Sequence, residues 1–384
     1  MKKYKVALIH NIISPYRVPL FEGLSDNPNI DLSVYFCAKT HGIREWDIIE
    51  SKKFYYEVLS GVTLEYPGIT YHINPIIILK LIQNKFDVVI IGGCTDFTMQ
   101  AAFVISKIFK IPTILWSEGI ENTQSKLGKV INPLTRFIIR KVDTVIVPGT
   151  LSRNFHIKQG ADSGKIFIAP NIVDIEKFVG KSSKFKEDKE KFKQELNIPN
   201  KKIILFIGQL IERKGVEYLI NAYTKIREEQ NDVCLIIVGN GVLKTKLEEI
   251  CIEKKIRDVR FTGWVSEEEK IVYYSIANLF VLPTLMDLCP LVLNEAMACG
   301  LPVISTDAAG CAVDMIMTDE NGFIVNKANA NQLYSAIKKI ISDDELARRM
   351  GNKSLEIIET KYSIDQSVGG FISAIKFTRF NKIK

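Results

Sequence analysis

An α/β fold of two doubly wound domains in series is the class this sequence predicts, and three observations predict it. The chain has 384 residues, more than one hydrophobic core usually supports. In its first half, short apolar runs suited to strands alternate with longer runs of helical periodicity, the pattern of parallel pairing. After the charge-rich run 181–191, which reads as a linker merging into a solvated helix, the second half repeats the alternation. A composition of 47% apolar and 25% charged residues is ordinary for a globular protein.

In the first half, strands are expected at residues 5–10, 30–36, 88–91, 113–116 and 144–147, with helices around 75–86, 97–109 and 126–141. Ligands in such sheets bind beyond the carboxyl ends of the strands. The loops to examine are therefore 10–17, 92–97 and 117–122. They offer His10, Arg17 and Glu118 as polar groups. Taken alone, Arg17 suits a solvated helix start equally well, and His10 a satisfied strand-end group.

In the second half, a strand from Lys202 runs into the turn at Gly208 and Gln209, and the basic pair Arg213-Lys214 precedes Gly215 and a helix over 216–228. Two cations at such a turn suit the charge of a leaving diphosphate. A further strand ends at Gly239 and Gly241, where the backbone can approach a ligand closely. The run 279–283 is a buried strand leading to Asp287. Pro290 then opens a helix that Gly300 and Pro302 stop. The amides of Leu291 and Val292 at that helix start attract an anion, with the helix dipole behind them. Asp287 and Glu295 flank the same helix. The same two carboxylates also suit an acidic cap and a buried helix glutamate.

These residues resemble a family. Asp287, seven intervening residues and Glu295-Ala296-Met297-Ala298, followed by Gly300, Pro302, Val303 and Ile304, resemble the donor-site signature of the retaining family 4 glycosyltransferases of GT-B fold. The segment 168–178, with Pro170-Asn171 and Val173-Asp174, is similar to the one that closes the first domain in that family. Lys214-Gly215 match its phosphate-binding turn. The resemblance implies two Rossmann-like domains facing a cleft, Lys214 and Arg213 on the diphosphate, Glu295 on the ribose and Asp287 on the transferred sugar. It further implies that Gly208, Gln209 and Gly239 border the donor, with Trp264 and Val265 beside the nucleobase. The chain departs from the pattern in carrying Asp287 for Glu, Gln209 for Arg and Ile172 for Gly. Arg213 can supply the charge that Gln209 lacks. On the acceptor side, Arg17, His10 and Glu118 are the candidates. The expected domains are residues 1–178, 179–363 and a helix over 364–384 that crosses back to the first domain.

A formal net charge of +7 fits anionic ligands or an anionic surface. The stretch 126–141 is basic and apolar without an acidic residue, and it makes an anionic membrane surface a candidate partner. The alternative is an ordinary amphipathic helix packed on the sheet. Nucleic acid is not expected, because the positive charge is neither dense nor interleaved with an aromatic platform. Seven cysteines without a Cys-x-x-Cys pair argue against a disulfide framework or a zinc site. No signal peptide or 18-residue apolar stretch is read, so a cytoplasmic protein is expected, peripheral at the inner face of the membrane if the basic stretch docks there. No Asp-x-Asp motif occurs, and no metal or other cofactor is expected.

The expected activity is transfer of a hexose or N-acetylhexosamine from a nucleotide diphosphate sugar, UDP ahead of GDP, to a glycan or lipid-linked acceptor with retention, in cell-surface polysaccharide synthesis. Two alternatives stand beside it: a non-catalytic binding partner of an active transferase, and a nucleotide-sugar epimerase of similar fold.

Overall fold

The computed structural model describes residues 3–40, 51, 53–66, 69–121, 133–198 and 201–383. The chain forms two compact units, residues 1–171 with 364–384, and residues 172–363.

The first unit opens with β1 (Tyr4–Ile12), α1 (Val18–Ser25), β2 (Ile30–Ala38) and β3 (Tyr55–Val58). A hairpin, β4 (Val62–Tyr66) and β5 (Ile69–Ile73), leads to α2 (Ile76–Asn84), β6 (Val88–Gly92), α3 (Phe97–Ile108) and β7 (Thr113–Trp116). Then come α4 (Pro133–Lys141), β8 (Thr144–Val147), α5 (Thr150–Lys158) and β9 (Ile166–Ile168). Seven strands form one sheet in the order β3-β2-β1-β6-β7-β8-β9, all parallel. The chain steps outward from β1 to β3 and returns to β6, so the strand order reverses between β1 and β6.

Burial explains which runs became strands. Residues 88–91 are all inaccessible, as a parallel strand covered on both faces requires. On one face α2, α3 and α4 share a core in which Ile77, Leu81, Phe103, Ile138 and Ile139 meet the sheet.

The second unit begins with α6 (Ile175–Glu187) and α7 (Lys189–Glu195), then β10 (Lys202–Ile207), α8 (Val216–Glu229), β11 (Val233–Val238), α9 (Lys244–Glu253) and β12 (Val259–Gly263). It continues with α10 (Glu267–Ile276), β13 (Leu279–Leu282), α11 (Leu291–Ala298), β14 (Val303–Thr306), α12 (Ala312–Met315) and β15 (Gly322–Val325). Two helices close it, α13 (Ala330–Ile341) and α14 (Asp344–Lys361). Its six parallel strands run β12-β11-β10-β13-β14-β15, and here the order reverses between β10 and β13.

One expectation needs correction, and another lies partly outside the described residues. The charged run 181–191, expected as a linker merging into a helix, is helical in α6 and α7, and the units divide between Asn171 and Ile172. The Asp174 side chain caps α6 by accepting from Lys177 N at 3.0 Å. Phe178 is buried, while Lys177 and Lys181 pair with Glu267 and Glu268 of α10, so the segment has a packed side. The basic stretch 126–141 is described only from residue 133. From there α4 runs Pro133–Lys141, and the rest of the stretch lies outside the described residues.

The tail forms α15 (Ile364–Ile383) and packs in the first unit against α1, β8 and β9. Phe371, Ala374 and Ile375 are buried. Phe371 meets Trp116 edge-on at 5.0 Å, Thr378 shares a hydrogen bond with Thr144 at 2.6 Å, and Arg379 pairs with Asp87 at 3.1 Å. Each large apolar side chain lost from such a core costs about 1.5–3 kcal/mol. A chain ending at Ser363 should therefore lose soluble yield and melt at lower temperature, measured by expression and thermal denaturation. Unchanged yield and melting would remove α15 from the core.

Candidate active site

In the second unit, the carboxyl ends of β10 and β13 flank the reversal of strand order, the place where an open α/β sheet offers a crevice. Both motif loops start there. After β10 the chain turns through Gly208 and Gln209 into a short 3-10 turn, Glu212–Lys214. Gly215 closes that turn at φ 63°, and a Cβ on it would stand 2.2 Å from the Pro283 carbonyl. Only glycine allows the β10 loop to lie so close to the end of β13. Gly239, at φ 132°, approaches Gly208 in the same way.

Backbone bonds fix the second loop to the first. Leu285 N donates to Arg213 O at 2.7 Å and Thr284 Oγ1 to the same oxygen at 2.9 Å. Asp287 is held by its own backbone, which donates to Ala308 O at 3.1 Å and accepts from Gly310 N at 2.9 Å. Its carboxylate accepts a hydrogen bond from Lys214 Nζ, and Arg213 stands 3.5 Å away. Lys214 is 8% exposed, so this pair is screened little by water. Leu291 and Val292, half-buried, are the first two residues of α11. Their amides have no carbonyl one turn back within the helix.

Glu295 lies on the same helix but in a different setting. It is 1% exposed. Lys270 Nζ donates to both its oxygens, at 2.8 and 2.9 Å, and Tyr274 Oη donates to Oε2 at 2.8 Å. Both partners lie on α10, one helical turn apart. A capping box at Ser266 and Glu269 starts that helix, directly after Trp264 and Val265. Trp264 is 62% exposed and Val265 half-buried.

The first unit gathers its candidates as well. Arg17 ends the short turn Pro15–Arg17 beyond β1, and its guanidinium donates to Asn171 Oδ1 at 2.7 Å and to Glu118. Asn171 also donates to Glu118, at 2.8 Å. The Trp116 ring lies beneath, 4.5 Å from the Arg17 guanidinium carbon and 5.1 Å from the His10 ring. Arg17, Glu118 and His10 thus meet at the carboxyl ends of β1 and β7. Asp96 lies at the carboxyl end of β6, where burial pushes its carboxyl up to about 6 against the lowering effect of a hydrogen bond with the His72 backbone.

Residues 188–356, within the second unit, match the family model of glycosyl transferases, group 1. An uncharacterised glycosyltransferase of Methanocaldococcus jannaschii is 32% identical over 181 residues, 47% of this chain and 46% of that protein. The alpha-monoglucosyldiacylglycerol synthase of Streptococcus pneumoniae is 26% identical over 58% of this chain and 52% of its own. The chain spans about half the length of the first curated relatives it matches. Among solved structures, Anabaena HepE in complex with UDP has a TM-score of 0.76 at 16% identity, covering 97% of this chain and 99% of its own. That likeness shows the GT-B class of fold.

In the second unit, Lys270 and Tyr274 were not singled out from sequence, nor were Trp116 and the side-chain role of Asn171 in the first unit. Their roles depend on which helix turn or strand end faces which neighbour. The Ser266 to Glu269 spacing of a capping box was the one signal that could have placed α10 and hence Lys270.

Two outcomes follow from the burial of these charges. Lys270→Met should lower stability by about 3 kcal/mol, because it leaves the Glu295 carboxylate buried without its cation. Adding Glu295→Met should restore most of the loss, and additive losses in thermal denaturation would refute the coupling. For Asp96 the sign runs with pH. The folded state keeps the proton that the unfolded state releases, so its contribution turns unfavourable as pH rises from about 4 through about 6. Asp96→Asn should therefore stabilise the protein by about 1–3 kcal/mol at pH 7.5 and have no effect below pH ~4, measured by denaturant unfolding at both pH values.

Proposed function

We propose that the protein is a retaining hexosyltransferase. It moves a hexose or N-acetylhexosamine from a nucleotide diphosphate sugar, UDP in preference to GDP, to a hydroxyl of a glycan or lipid-linked acceptor in cell-surface polysaccharide synthesis. The observation that carries this reading is the convergence of Arg213, Lys214, Asp287 and the α11 amides where β10 and β13 diverge. The UDP bound by HepE and the lipid product named for the pneumococcal synthase support the donor and acceptor classes.

In this reading the donor diphosphate takes the place of Asp287 as counter-ion to Lys214 and Arg213. The sugar–oxygen bond breaks with its electron pair going to the diphosphate, the acceptor oxygen bonds to the same sugar carbon and its proton passes to the departing diphosphate, while the two cations with the Leu291 and Val292 amides stabilise the charge that develops. Protein cations serve where other transferases use a divalent ion. Asp287, released from Lys214, accepts from a sugar hydroxyl. Glu295, oriented by Lys270, accepts from the ribose. Gln209, Gly208 and Gly239 border the donor, with Trp264 and Val265 beside the base. The acceptor hydroxyl is received by the first unit near Arg17, His10 and Glu118, in the cytoplasm at the inner face of the membrane.

Release of UDP or GDP from a panel of nucleotide sugars, with and without a lipid acceptor, tests the reading. Lys214→Ala should lower turnover by about 100-fold or more, since one preorganised charge at a developing anion is worth about 3 kcal/mol. Glu295→Gln should act through donor KM with kcat retained, because a ribose contact exists in ground and transition states alike. Nucleotide binding without turnover of any donor would favour a binding partner of an active transferase instead.

A further inference from the structure

The helices α2, α3 and α4 pack side by side on one face of the first sheet, and Phe103 meets Phe137 edge-on at 6.3 Å. None of the three contains an acidic residue. Their outer side instead exposes large apolar side chains: Leu79 and Ile82 on α2, Val104 on α3, Phe137 on α4, and Ile108 (64%) with Phe109 (52%) at the end of α3. Single exposed apolar residues need no explanation, whereas a contiguous group marks an interaction surface.

The charge beside this patch is mainly positive, with Glu57 paired to Lys80 of α2 at 2.7 Å. Where α3 and α4 end, Lys107, Lys110, Arg140, Lys141 and Lys165 ring a groove of about 530 Å³ whose one carboxylate is Asp143. Asp143 is engaged, accepting from Lys107 at 2.7 Å and from Thr113 N at 2.8 Å. Some of these cations complement helix C-termini. Helix termini do not account for the exposed Ile108 and Phe109 between them, nor for Arg136, which lies one turn earlier on α4. The groove lies at the amino-terminal edge of the sheet, beside Thr113 and Thr144 at the starts of β7 and β8, away from the carboxyl ends that carry Arg17 and Glu118.

We propose that the α2–α3–α4 face, with the basic groove at its end, docks on an anionic phospholipid surface, phosphate headgroups in the groove and Ile108, Phe109 and Phe137 toward the acyl boundary. Charge complementarity selects this occupant. A second copy of the chain facing the patch across a two-fold axis would set cations against cations. A nucleic acid would match the cations but leave the apolar residues facing phosphates and water. Apolar side chains between cations are what an anionic bilayer interface accepts. The inference deepens the membrane part of the proposed function. Its readout is vesicle binding, so loss of docking and loss of turnover are scored separately.

Flotation of the full chain with vesicles of phosphatidylcholine alone, and of phosphatidylcholine mixed with phosphatidylglycerol, tests it. The mixed vesicles should carry the protein upward and salt should release it, as for charges screened within a Debye length. Replacing Lys110, Arg136 and Lys141 together by Gln should weaken partition by about 100-fold, at about fivefold per cation near an anionic surface. Phe109→Ser should weaken partition while leaving its salt dependence in place. Thermal stabilisation by UDP should be unchanged in both variants, which shows that the fold and the donor site are intact. Equal recovery with both vesicle types, or full binding by the triple variant, would overturn the proposal. So would release from the mixed vesicles by an oligonucleotide that binds wild type and Phe109→Ser equally, or thermal stabilisation by inorganic phosphate without any vesicle binding.

Discussion

The contact between Lys214 and Asp287 is the interaction on which the second unit's site depends. It joins the loop after β10 to the loop after β13, the two strands between which the sheet reverses order. Each loop is placed by backbone geometry before its charges meet. Gly215 lets one lie against the Pro283 carbonyl, and Leu285 N and Thr284 Oγ1 tie the other to Arg213 O. The ion pair therefore orders two side chains whose backbones are already held. It also keeps two cations from repelling each other across a narrow turn. An anionic ligand entering there meets a preformed site whose counter-ion is a single displaceable carboxylate.

Much of this was legible in the sequence, for physical reasons. A parallel strand covered on both faces must be apolar throughout, so 88–91 and 279–282 announce themselves. Pro290 and Gly300 bound α11 because each does what few other residues can at a helix end. Arg213 and Lys214 stood out as a cation pair at a turn after a strand, whereas Asp287 and Glu295, which alone suit an acidic cap and a buried helix glutamate, stood out through the resemblance to a donor-site signature. What was not legible depends on facing. Whether Glu295 points to solvent or inward cannot be read from its own helix, and its partners Lys270 and Tyr274 lie some twenty residues upstream on α10. The run 181–191 read by composition as a linker merging into a solvated helix, yet Lys181, with Lys177 before it, finds Glu268 and Glu267 on that same helix. In both places α10 supplies the partners, and its register was not deduced.

The two polar clusters differ in kind. In the first unit, Arg17, Glu118 and Asn171 satisfy one another over the Trp116 ring, and a ligand must compete with bonds already made. Competition of that sort favours partners offering several hydroxyls at once over a single charge. In the second unit, the helix-start amides of Leu291 and Val292 cannot be satisfied within α11, and an anion that displaces the Asp287 carboxylate from Lys214 can gain them as well.

The substitutions at 209 and 287 gain meaning from the charges around them. Arg213, Lys214 and Lys270 bring three cations against the two carboxylates of Asp287 and Glu295, a surplus of one before any ligand arrives. An arginine at 209 would raise that surplus in a turn where Arg213 and Lys214 already crowd. With Gln209 the turn keeps a hydrogen-bonding side chain and loses the repulsion. Asp287 is one methylene shorter than glutamate, and the shorter reach suits a carboxylate whose backbone is pinned to Ala308 and Gly310. A glutamate on the same pinned backbone would carry its carboxylate farther from Asp287's present position beside Lys214. Gln209 and Asp287 are therefore consistent with each other: both keep the cations of the β10 loop close to a nearby carboxylate while the site is without ligand.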